Sequence, residues 1–501
     1  MAGRTYEYAV ECLNTLQSNA ATLEASRASG GRLVKTAIPE TIEYLERIGY
    51  NQTDLNSLNV IHVTGTKGKG STCAFTDSII RHVKPERKVG LFTSPHLVAV
   101  RERIRINGVP LPEEDFAKFF FEVWDRLEQN DIRANPETLS KPMYFRFITL
   151  VAFHAFLSLK VDATILEVGV GGEYDCTNIV PHPVVTGVSA LGIDHTAVLG
   201  KTLKEIAWQK SGIYKRGVPA LTVSQPEDGL EVLRRRATEK KASEFIVVSP
   251  TPGLSEVKLG LPGSHQYQNA DLAINLARIF LHRKAGVEPD STLSTVYVEA
   301  LQNAKWPGRC QTVPDPRHPQ STWFLDGAHT AESLSCCVQW FVSPDAALRR
   351  HESTTRPTRI LVFNCTSGRS GDAFLGSMLV KGKEQLKQYG SAEDIDSFFD
   401  HVIFCANVTY ADGGFKGDLT TRAIAESDLA QLKTQNELAS AWKSLVPSFP
   451  EGHVHVLPSI EHAVNLVREQ EVLGKVDVLV TGSLHLVGGT IEVAQLADVA
   501  L

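Results

Sequence analysis

The sequence predicts an α/β protein with two domains, and three observations support that prediction. The chain has 501 residues, more than one ordinary domain holds. Short runs rich in Val and Ile alternate with helical patterns, as in a mostly parallel, doubly wound sheet. The proline-rich stretch 304–319 interrupts this alternation, and a second α/β series follows it. We therefore expect a first domain over 1–303, a linker over 304–319, and a smaller, Rossmann-like α/β domain over 320–501.

The elements of the first domain can be assigned in chain order. Residues 1–50 carry helical spacings that Gly30 and Gly31 interrupt. The β-branched run from Val60 to Val63 predicts a strand, and a glycine-rich turn and a helix from near Ser71 follow it. Further strands are predicted at 88–93, 163–168, 184–188, 220–223 and 245–248.

The second domain shows apolar runs that end in small or polar residues. These runs are TWFLDGAH (322–329), RILVFNCTS (359–367), HVIFCANV (401–408), HVHVLPS (453–459) and VDVLVTGS (476–483). In an open α/β sheet, ligands bind at the carboxyl ends of the strands. We therefore expect the functional residues of this domain at the ends of these runs.

Composition and charge exclude several classes of protein. The formal net charge is −6, so no basic field is present to bind a nucleic acid. The basic run 234–241 is interpreted as a solvated helix face. The most apolar stretch, 145–159, contains Arg146 and His154 and is too short to span a membrane. We expect small-molecule partners, no nucleic acid and no membrane insertion.

The cysteines and the N-terminal segment bear on the compartment. Eight cysteines are scattered without a Cys-x-x-Cys pair, as is typical of a reducing environment. The start MAGRTYEYAV lacks an apolar signal core, and Glu7 and Glu11 argue against a transit segment. These features predict a cytoplasmic protein, with a mitochondrial form left open as an alternative.

A glycine-rich turn after the first strand predicts a phosphate-binding loop. It consists of Gly65, Thr66, Lys67, Gly68, Lys69, Gly70 and Ser71. Glycines let successive N–H groups face one concavity, and the following helix N-terminus favours an anion. The strict P-loop pattern is met imperfectly, because Val63 occupies the first glycine position and Gly70 follows the lysine. A phosphate loop is favoured over a plain tight turn.

The stretch HVTGTKGKGS resembles the phosphate loop of the Mur ligase superfamily, in particular its folylpolyglutamate synthase and dihydrofolate synthase branch, which carries the same glycine after the lysine. Further matching motifs follow over most of the chain: LFTSPHL and RERIRING within 91–108, LEVGVGGEYDCTN at 166–178, GIDHTAVLG at 192–200, IAWQKSGIYKRGVPA at 206–220, HQYQNADLA at 265–273, WPGR at 306–309, DGAHT at 326–330 and VTGSLHLVGG at 480–489. The N-terminal region is similar to eukaryotic, in particular fungal, members. The resemblance implies an N-terminal P-loop ATPase domain that also binds folate, and a C-terminal glutamate-ligase domain.

A metal site is predicted at the end of the strand ATILEV. Glu167 stands there, and a carboxylate beside a phosphate loop suits Mg²⁺. The alternative is a carboxylate that caps the following glycine turn. The resemblance implies that Ser94, Glu167 and His195 hold Mg²⁺, although a lone histidine is usually structural. It also implies that Asp175 lies near this centre, on the substrate side.

Three further residues of the first domain have a family role and a simpler alternative. The helical pattern around Lys210 predicts a solvated surface lysine, whereas the resemblance implies a carbamylated lysine that supports the metal site. The resemblance implies that Asn269 contacts the nucleotide, and a helix N-cap is the alternative. Arg103 is implied as a contact to folate, with a surface ion pair as the alternative.

In the second part of the chain, Arg309 follows Trp306-Pro307-Gly308, where a planar cation can clamp phosphates. The resemblance implies Asp326 at the nucleotide ribose and His329, with Ser483, near the incoming glutamate. The alternative for DGAH is a plain strand-to-helix turn. The expected catalytic residues are Lys69, Lys210, Asp326 and His329.

These parts suit the ATP-dependent formation of an amide bond. The resemblance implies that ATP converts the γ-carboxylate of a (tetrahydro)folate to an acyl phosphate, which L-glutamate attacks to form folylpoly-γ-glutamates. ATP and Mg²⁺ are the expected cofactors, a monovalent cation such as K⁺ is implied, and a monomer is expected. Alternatives are a dihydrofolate synthase, which glutamylates dihydropteroate, and a non-catalytic nucleotide-binding switch. A murein-type ligase ranks lower, because the segment before Gly65 is too short for a further substrate domain.

Overall fold

A computed structural model describes residues 3–17, 32–136, 138–288, 292–349, 356–365, 371–414, 416–419 and 431–501. The chain forms two compact α/β units, which confirms the predicted fold class. The first unit comprises Met1–His96, Val100–Gly260 and Gln266–Lys305, and the second comprises Leu97–Ala99, Leu261–His265 and Trp306–Leu501. The predicted interruption at Gly30 and Gly31 lies outside the described residues.

The first unit is built on a mixed sheet of eight strands. The strands are β1 Val60–Thr64, β2 Val89–Phe92, β3 Ile104–Ile106, β4 Val109–Pro110, β5 Ala163–Glu167, β6 Val185–Val188, β7 Ala220–Thr222 and β8 Phe245–Val247. Their order is β4-β3-β2-β5-β1-β6-β7-β8, and only the pairs of β3 with β2 and β4 are antiparallel. The sequence predicted every parallel strand, but β3 and β4 are too short to show a period.

Helices complete the first unit. They are α1 Tyr6–Thr15, α2 Arg32–Arg47, α3 Lys69–Val83, α4 Glu113–Gln129, α5 Tyr144–Leu159, α6 Thr196–Leu199, α7 Leu203–Lys210, α8 Glu227–Glu239, α9 His265–Ala285 and α10 Thr295–Asn303. Every residue of β1 and β5 is buried, as expected for parallel strands covered on both faces. The apolar stretch 145–159 is core helix α5, and no helix in the described part of the chain is long and apolar enough to cross a bilayer.

The basic run 234–241 is not a fully solvated face. Arg236 is buried, and its guanidinium donates to Glu173 Oε2 at 2.6 Å. Its carbon Cζ lies 4.6 Å from the centre of the Trp208 ring. The expectation is therefore wrong for Arg236, because α8 turns this residue towards the loop that carries Glu173.

The second unit contains a sheet of six strands. The strands are β9 Gln311–Pro314, β10 Ser321–Leu325, β11 Thr358–Phe363, β12 His401–Cys405, β13 Val454–Leu457 and β14 Val476–Thr481. Their order is β13-β12-β11-β14-β10-β9, and only β9 is antiparallel to its neighbour. Strand β9 lies inside the segment 304–319 that the sequence predicts as a linker. Its prolines suggested a loop, but an edge strand tolerates proline.

Helices also flank the second sheet. They are α11 Ala331–Phe341, α12 Gly371–Gln388, α13 Lys433–Leu445, α14 Ile460–Glu471, α15 Leu484–Val493 and α16 Ala497–Ala500. Strands β10, β11, β12 and β14 run parallel, so their carboxyl ends meet at one edge. This edge carries the polar residues that the sequence marked after each apolar run.

Candidate active site

The predicted phosphate loop joins β1 to α3. Gly68 has a φ of +84°, and a Cβ placed there would lie 2.0 Å from Asn269 Oδ1, so only glycine fits. The N–H groups of Thr66 and Lys67 both donate to Ala190 O, at 2.9 and 3.0 Å. The first turn of α3, from Lys69 onwards, supplies the N–H groups that a helix leaves without internal partners. An anion is therefore best accommodated at the start of α3.

Two lysines of this loop, Lys67 and Lys69, lie close to a third, Lys210 of α7. Lys69 Nζ and Lys210 Nζ both donate to Gly65 O, at 3.1 and 2.7 Å. Lys67 Nζ pairs with Asp194 Oδ2 at 3.1 Å. Burial alone would raise the pKa of Asp194, but the charge and hydrogen bond of Lys67 outweigh it and lower the pKa to about 2. The two lysines of the loop, Lys67 and Lys69, outnumber the single carboxylate of Asp194, which suits a polyphosphate.

Lys210 is not the solvated surface lysine that its helical pattern predicts. It is 3% exposed, at the C-terminal end of α7. Burial, followed by the charge of Lys69, lowers its pKa well below the ordinary value. The helix end packs against the loop after β5, where a Cβ on Gly172 would lie 2.7 Å from Lys210 O. This close approach turns the amine inwards, so the surface interpretation is wrong.

Sequence reasoning did not select Ser189 or Asp194, although both stand beside the loop. Ser189 follows β6, and its hydroxyl donates to Lys67 O at 2.7 Å. A Cβ on Gly65 would lie 1.9 Å from Ser189 Oγ. The sequence shows that Ser189 follows a strand, but only the pairing of β6 with β1 places it beside the loop.

The predicted metal ligands fall into two groups. The backbone N–H of Ser94, after β2, donates to Glu167 Oε2 at 2.9 Å. His195 groups with Asp194 and the loop lysines, and burial is the first cause of its lowered pKa. Carboxylate and hydroxyl oxygens are hard donors, so Glu167 and Ser94 have the chemistry that Mg²⁺ prefers. In the described part of the chain, no group of three or more His, Cys, Asp or Glu side chains is placed to hold a metal ion.

Asp175 and Arg103 are both buried. Asp175 accepts the N–H groups of Val170 and Thr177 at 3.1 and 3.0 Å, so Asp175 holds the glycine turn after β5. Burial raises its pKa despite these bonds. Arg103 Nε donates to His96 Nδ1 at 2.9 Å, and the surface ion-pair interpretation is therefore wrong.

Asn269 lies inside α9, four residues after the helix begins at His265, so the N-cap interpretation is wrong. Its Nδ2 donates to Gln266 Oε1 at 2.9 Å. This bond leaves Oδ1 facing Gly68 of the phosphate loop. Gln266, which sequence reasoning missed, is fully buried and orients the amide.

In the second unit, Asp326 and its neighbours follow β10. The carboxylate of Asp326 accepts the N–H groups of Cys310 and Ala328, at 2.7 and 2.9 Å. It therefore fixes its own turn as well as the start of β9. Arg309 Nη1 donates to Gly308 O at 3.0 Å, and His329 Nδ1 lies 3.1 Å from Gly327 O.

Ser483 stands at the end of the same sheet, between β14 and α15. Its hydroxyl accepts a hydrogen bond from Asn407 Nδ2 at 3.3 Å, and Asn407 follows β12. The second sheet thus brings the ends of β10, β12 and β14 to one edge, as the sequence predicts. Asn407 was not among the site residues that the sequence predicted.

A P-loop unit with a cluster of lysines, and an α/β unit with polar strand ends, are the parts of an ATP-dependent acid–amino acid ligase. The folylpolyglutamate synthase of Neurospora crassa is 42% identical to this chain over 511 residues, covering 99% of this chain and 93% of its own length. That of Saccharomyces cerevisiae is 42% identical and covers 100% of this chain and 88% of its own. The chain belongs to the folylpolyglutamate synthase family, whose activity is the ATP-dependent addition of glutamate to folates.

Solved structures agree on the fold. Mycobacterium tuberculosis folylpolyglutamate synthase, complexed with ADP and AMPPCP, has a TM-score of 0.67 to this chain at 22% identity, covering 94% of this chain and 98% of its own. No protein-family model matches the chain.

Proposed function

We propose that this protein adds L-glutamate to the γ-carboxylate of reduced folate through an acyl phosphate, and that it repeats the addition to form folylpoly-γ-glutamates. The observation that carries the proposal is the phosphate loop at the start of α3, with its own lysines Lys67 and Lys69, in a chain from this family. Cations at this point can neutralise the charge of a transferring phosphoryl group.

The chemistry proceeds in two steps. A free carboxylate is a poor acyl donor and must first be activated. A carboxylate oxygen of the folate therefore attacks the γ-phosphorus of ATP, forms the acyl phosphate and releases ADP. The α-amine of glutamate then attacks the carbonyl carbon, loses a proton and expels inorganic phosphate. No nucleophilic side chain is required, so the protein contributes positioning and electrostatics.

We assign the residues of each unit to these steps. In the first unit, the loop 65–71 and Asn269 bind the nucleotide, and Arg103 and Asp175 contact the folate side. In the second unit, Arg309 binds phosphate, Asp326 binds the ribose, and His329 with Ser483 binds glutamate. The buried position of Arg103 and the strand-end position of Ser483 support these roles.

Ser94, Glu167 and His195 would hold Mg²⁺, which neutralises phosphate charge when it is bound. A monovalent cation such as K⁺ is part of the proposal without assigned ligands.

Lys210 is proposed to be carbamylated. Its buried amine loses the proton easily, and a neutral amine can attack carbon dioxide, form an N–C bond and release a proton. ¹³C-labelled bicarbonate should therefore give a carbamate signal that Lys210→Gln abolishes. Lys215 is the matched control, because burial also lowers its pKa, to about 8. A signal that Lys215→Gln removes and Lys210→Gln retains would refute the assignment.

The activity is tested by glutamate-dependent phosphate release with ATP, Mg²⁺ and tetrahydrofolate, with product masses recorded. We expect successive additions of one glutamyl unit, lost in Lys69→Met and kept in Lys201→Met, which removes an exposed lysine. A single addition to dihydropteroate, with none to tetrahydrofolate, would instead identify a dihydrofolate synthase. Phosphate release without glutamate would favour a nucleotide switch.

A cytoplasmic monomer is the proposed working form. All eight cysteines lie in the described part of the chain and are free, which supports a reducing compartment. Sedimentation at working concentration should give a single species near 54.9 kDa.

A further inference from the structure

Asn407 is held rigidly just beyond the carboxyl end of β12. The N–H of Ala406 before it donates to Leu457 O at 3.1 Å. The carbonyl of Val408 after it accepts the N–H of Ile460 at 2.8 Å. These bonds fix the backbone on both sides of Asn407, and the bond to Ser483 directs its side chain.

Ser483 is the N-cap of α15, but its hydroxyl does not cap the helix. A serine at this position ordinarily accepts an N–H from the first turn of its own helix. The Ser483 oxygen instead accepts from Asn407 Nδ2 at 3.3 Å. The Ser483 side chain thus does not bond to its own helix and instead meets Asn407 at the edge of the sheet where β12 and β14 end.

This bond sets the direction in which Ser483 can bond further. A hydroxyl can donate one proton and can also accept hydrogen bonds, whereas an amide N–H can only donate. Since Asn407 donates, the Ser483 proton stays available, and no acceptor for it exists among the described residues. Asn407 Oδ1 is itself buried without a partner in the described chain. A buried carbonyl oxygen without a partner is destabilising, so packing alone does not account for this amide orientation.

We propose that Asn407 is a positioning residue that fixes the Ser483 hydroxyl as a hydrogen-bond donor to a carboxylate of the incoming glutamate. The inference rests on the proposed function, which puts Ser483 at the glutamate. Free glutamate carries two carboxylates, and a donor hydroxyl gains a charge-assisted bond to either one. A hydroxyl that already donates to the protein gains nothing from a carboxylate.

The test compares Asn407→Asp with Asn407→Ala in the full-length protein, by KM and kcat for glutamate and KM for ATP. Aspartate has the same shape but only accepts, so the Ser483 proton turns to it and a negative charge faces the substrate. We expect Asn407→Asp to raise KM for glutamate by about 10-fold or more, with KM for ATP within about 2-fold. Asn407→Ala leaves the proton free and should raise KM less. A packing role predicts the reverse order, because alanine removes more atoms, and that order would overturn the inference.

Ser483→Ala and the double variant separate this inference from the proposed function. Ser483→Ala should raise KM for glutamate. In the double variant, KM should rise by less than the product of the fold-changes of Ser483→Ala and Asn407→Asp, because the two residues act together. An unchanged KM in Ser483→Ala would overturn the glutamate role of Ser483. A raised KM in Ser483→Ala with wild-type behaviour in Asn407→Asp would overturn only the role of Asn407. Asn436→Asp, on the exposed side of α13, adds the same charge and should match the wild type, and thermal unfolding checks folding.

Discussion

At the scale of single residues, burial changes the proton affinity of Lys210. Burial and the charge of Lys69 lower the pKa of its amine below the ordinary 10.5. Between the folded pKa and 10.5, the unfolded chain binds a proton that the folded chain does not. The free energy of unfolding therefore rises with pH across that window. Below the window, the buried amine is protonated and destabilises the fold to its full extent. We expect Lys210→Met to flatten this rise, measured as the free energy of unfolding in buffer free of carbon dioxide.

Lys201 provides the comparison for this prediction, because it is exposed in the same unit. Lys201→Met should keep the wild-type dependence of the unfolding free energy on pH. A Lys210→Met variant whose stability still rises with pH as steeply as that of the wild type would show that Lys210 is protonated inside the fold.

At the scale of elements, the phosphate loop depends on a close approach between Gly68 and α9. A Cβ on Gly68 would lie 2.0 Å from Asn269 Oδ1, so Gly68→Ala must displace the loop or the Asn269 side chain. We expect the affinity for ATP, measured by calorimetry, to fall by about 10-fold or more, since the displaced group belongs to the proposed nucleotide site.

Gly217→Ala separates this steric effect from backbone strain. Gly217 also has a positive φ, of +73°, but a Cβ there meets nothing within 4 Å. The variant should lose some stability and bind ATP as the wild type does. Equal losses of ATP affinity in both variants would contradict the role of the loop contact.

A second element-scale prediction concerns the loop that holds the end of α7. The N–H of Glu173 donates to Gln209 O at 2.7 Å, next to Lys210, and its carboxylate accepts from Arg236 at 2.6 Å. Glu173→Gln should lower both the melting temperature and kcat. The substitution removes the charge pair between Glu173 and Arg236, which anchors the loop that contacts the end of α7. Glu239→Gln removes the other, more exposed carboxylate from Arg236 and should leave kcat unchanged. Similar kcat values in the two variants would argue against the anchor.

At the scale of the whole molecule, the two units are not consecutive in the chain. Leu97 and Val98 belong to the apolar core of the second unit, although the chain enters that unit fully only at Trp306. A Cβ on Gly488 would lie 1.9 Å from Leu97 O, so α15 packs directly on this segment. We expect Leu97→Ala to cost about 2–5 kcal/mol, and hydrogen exchange should locate the loss in the second unit.

Leu473 serves as the control for this loss. It is 80% exposed in the same unit, so Leu473→Ala should leave the unfolding free energy nearly unchanged. If Leu97→Ala were equally silent, Leu97 would not belong to that core.

Local patterns in the chain predicted most of the architecture. The parallel strands are visible in the sequence because buried strands are continuous apolar runs, and the phosphate loop is visible because its glycines and lysines are adjacent. Strands β3, β4 and β9 were missed because they are short or contain proline. The resemblance of ordered motifs supplied the family, and with it most candidate site residues.

The sequence by itself determined the fold class, the phosphate loop and the strand ends that carry polar groups, because each depends on neighbours within a few residues. It also determined the family, because short motifs follow one another in a fixed order along the chain. Only the tertiary structure decided that Lys210 is buried on Gly65, 145 residues away, and that Asn407 turns towards Ser483, 76 residues away. The physical reason is that burial and hydrogen-bond direction depend on which strand ends become neighbours in the sheet. That order, in which β5 and β6 flank β1 and β14 lies between β11 and β10, cannot be read from chain order.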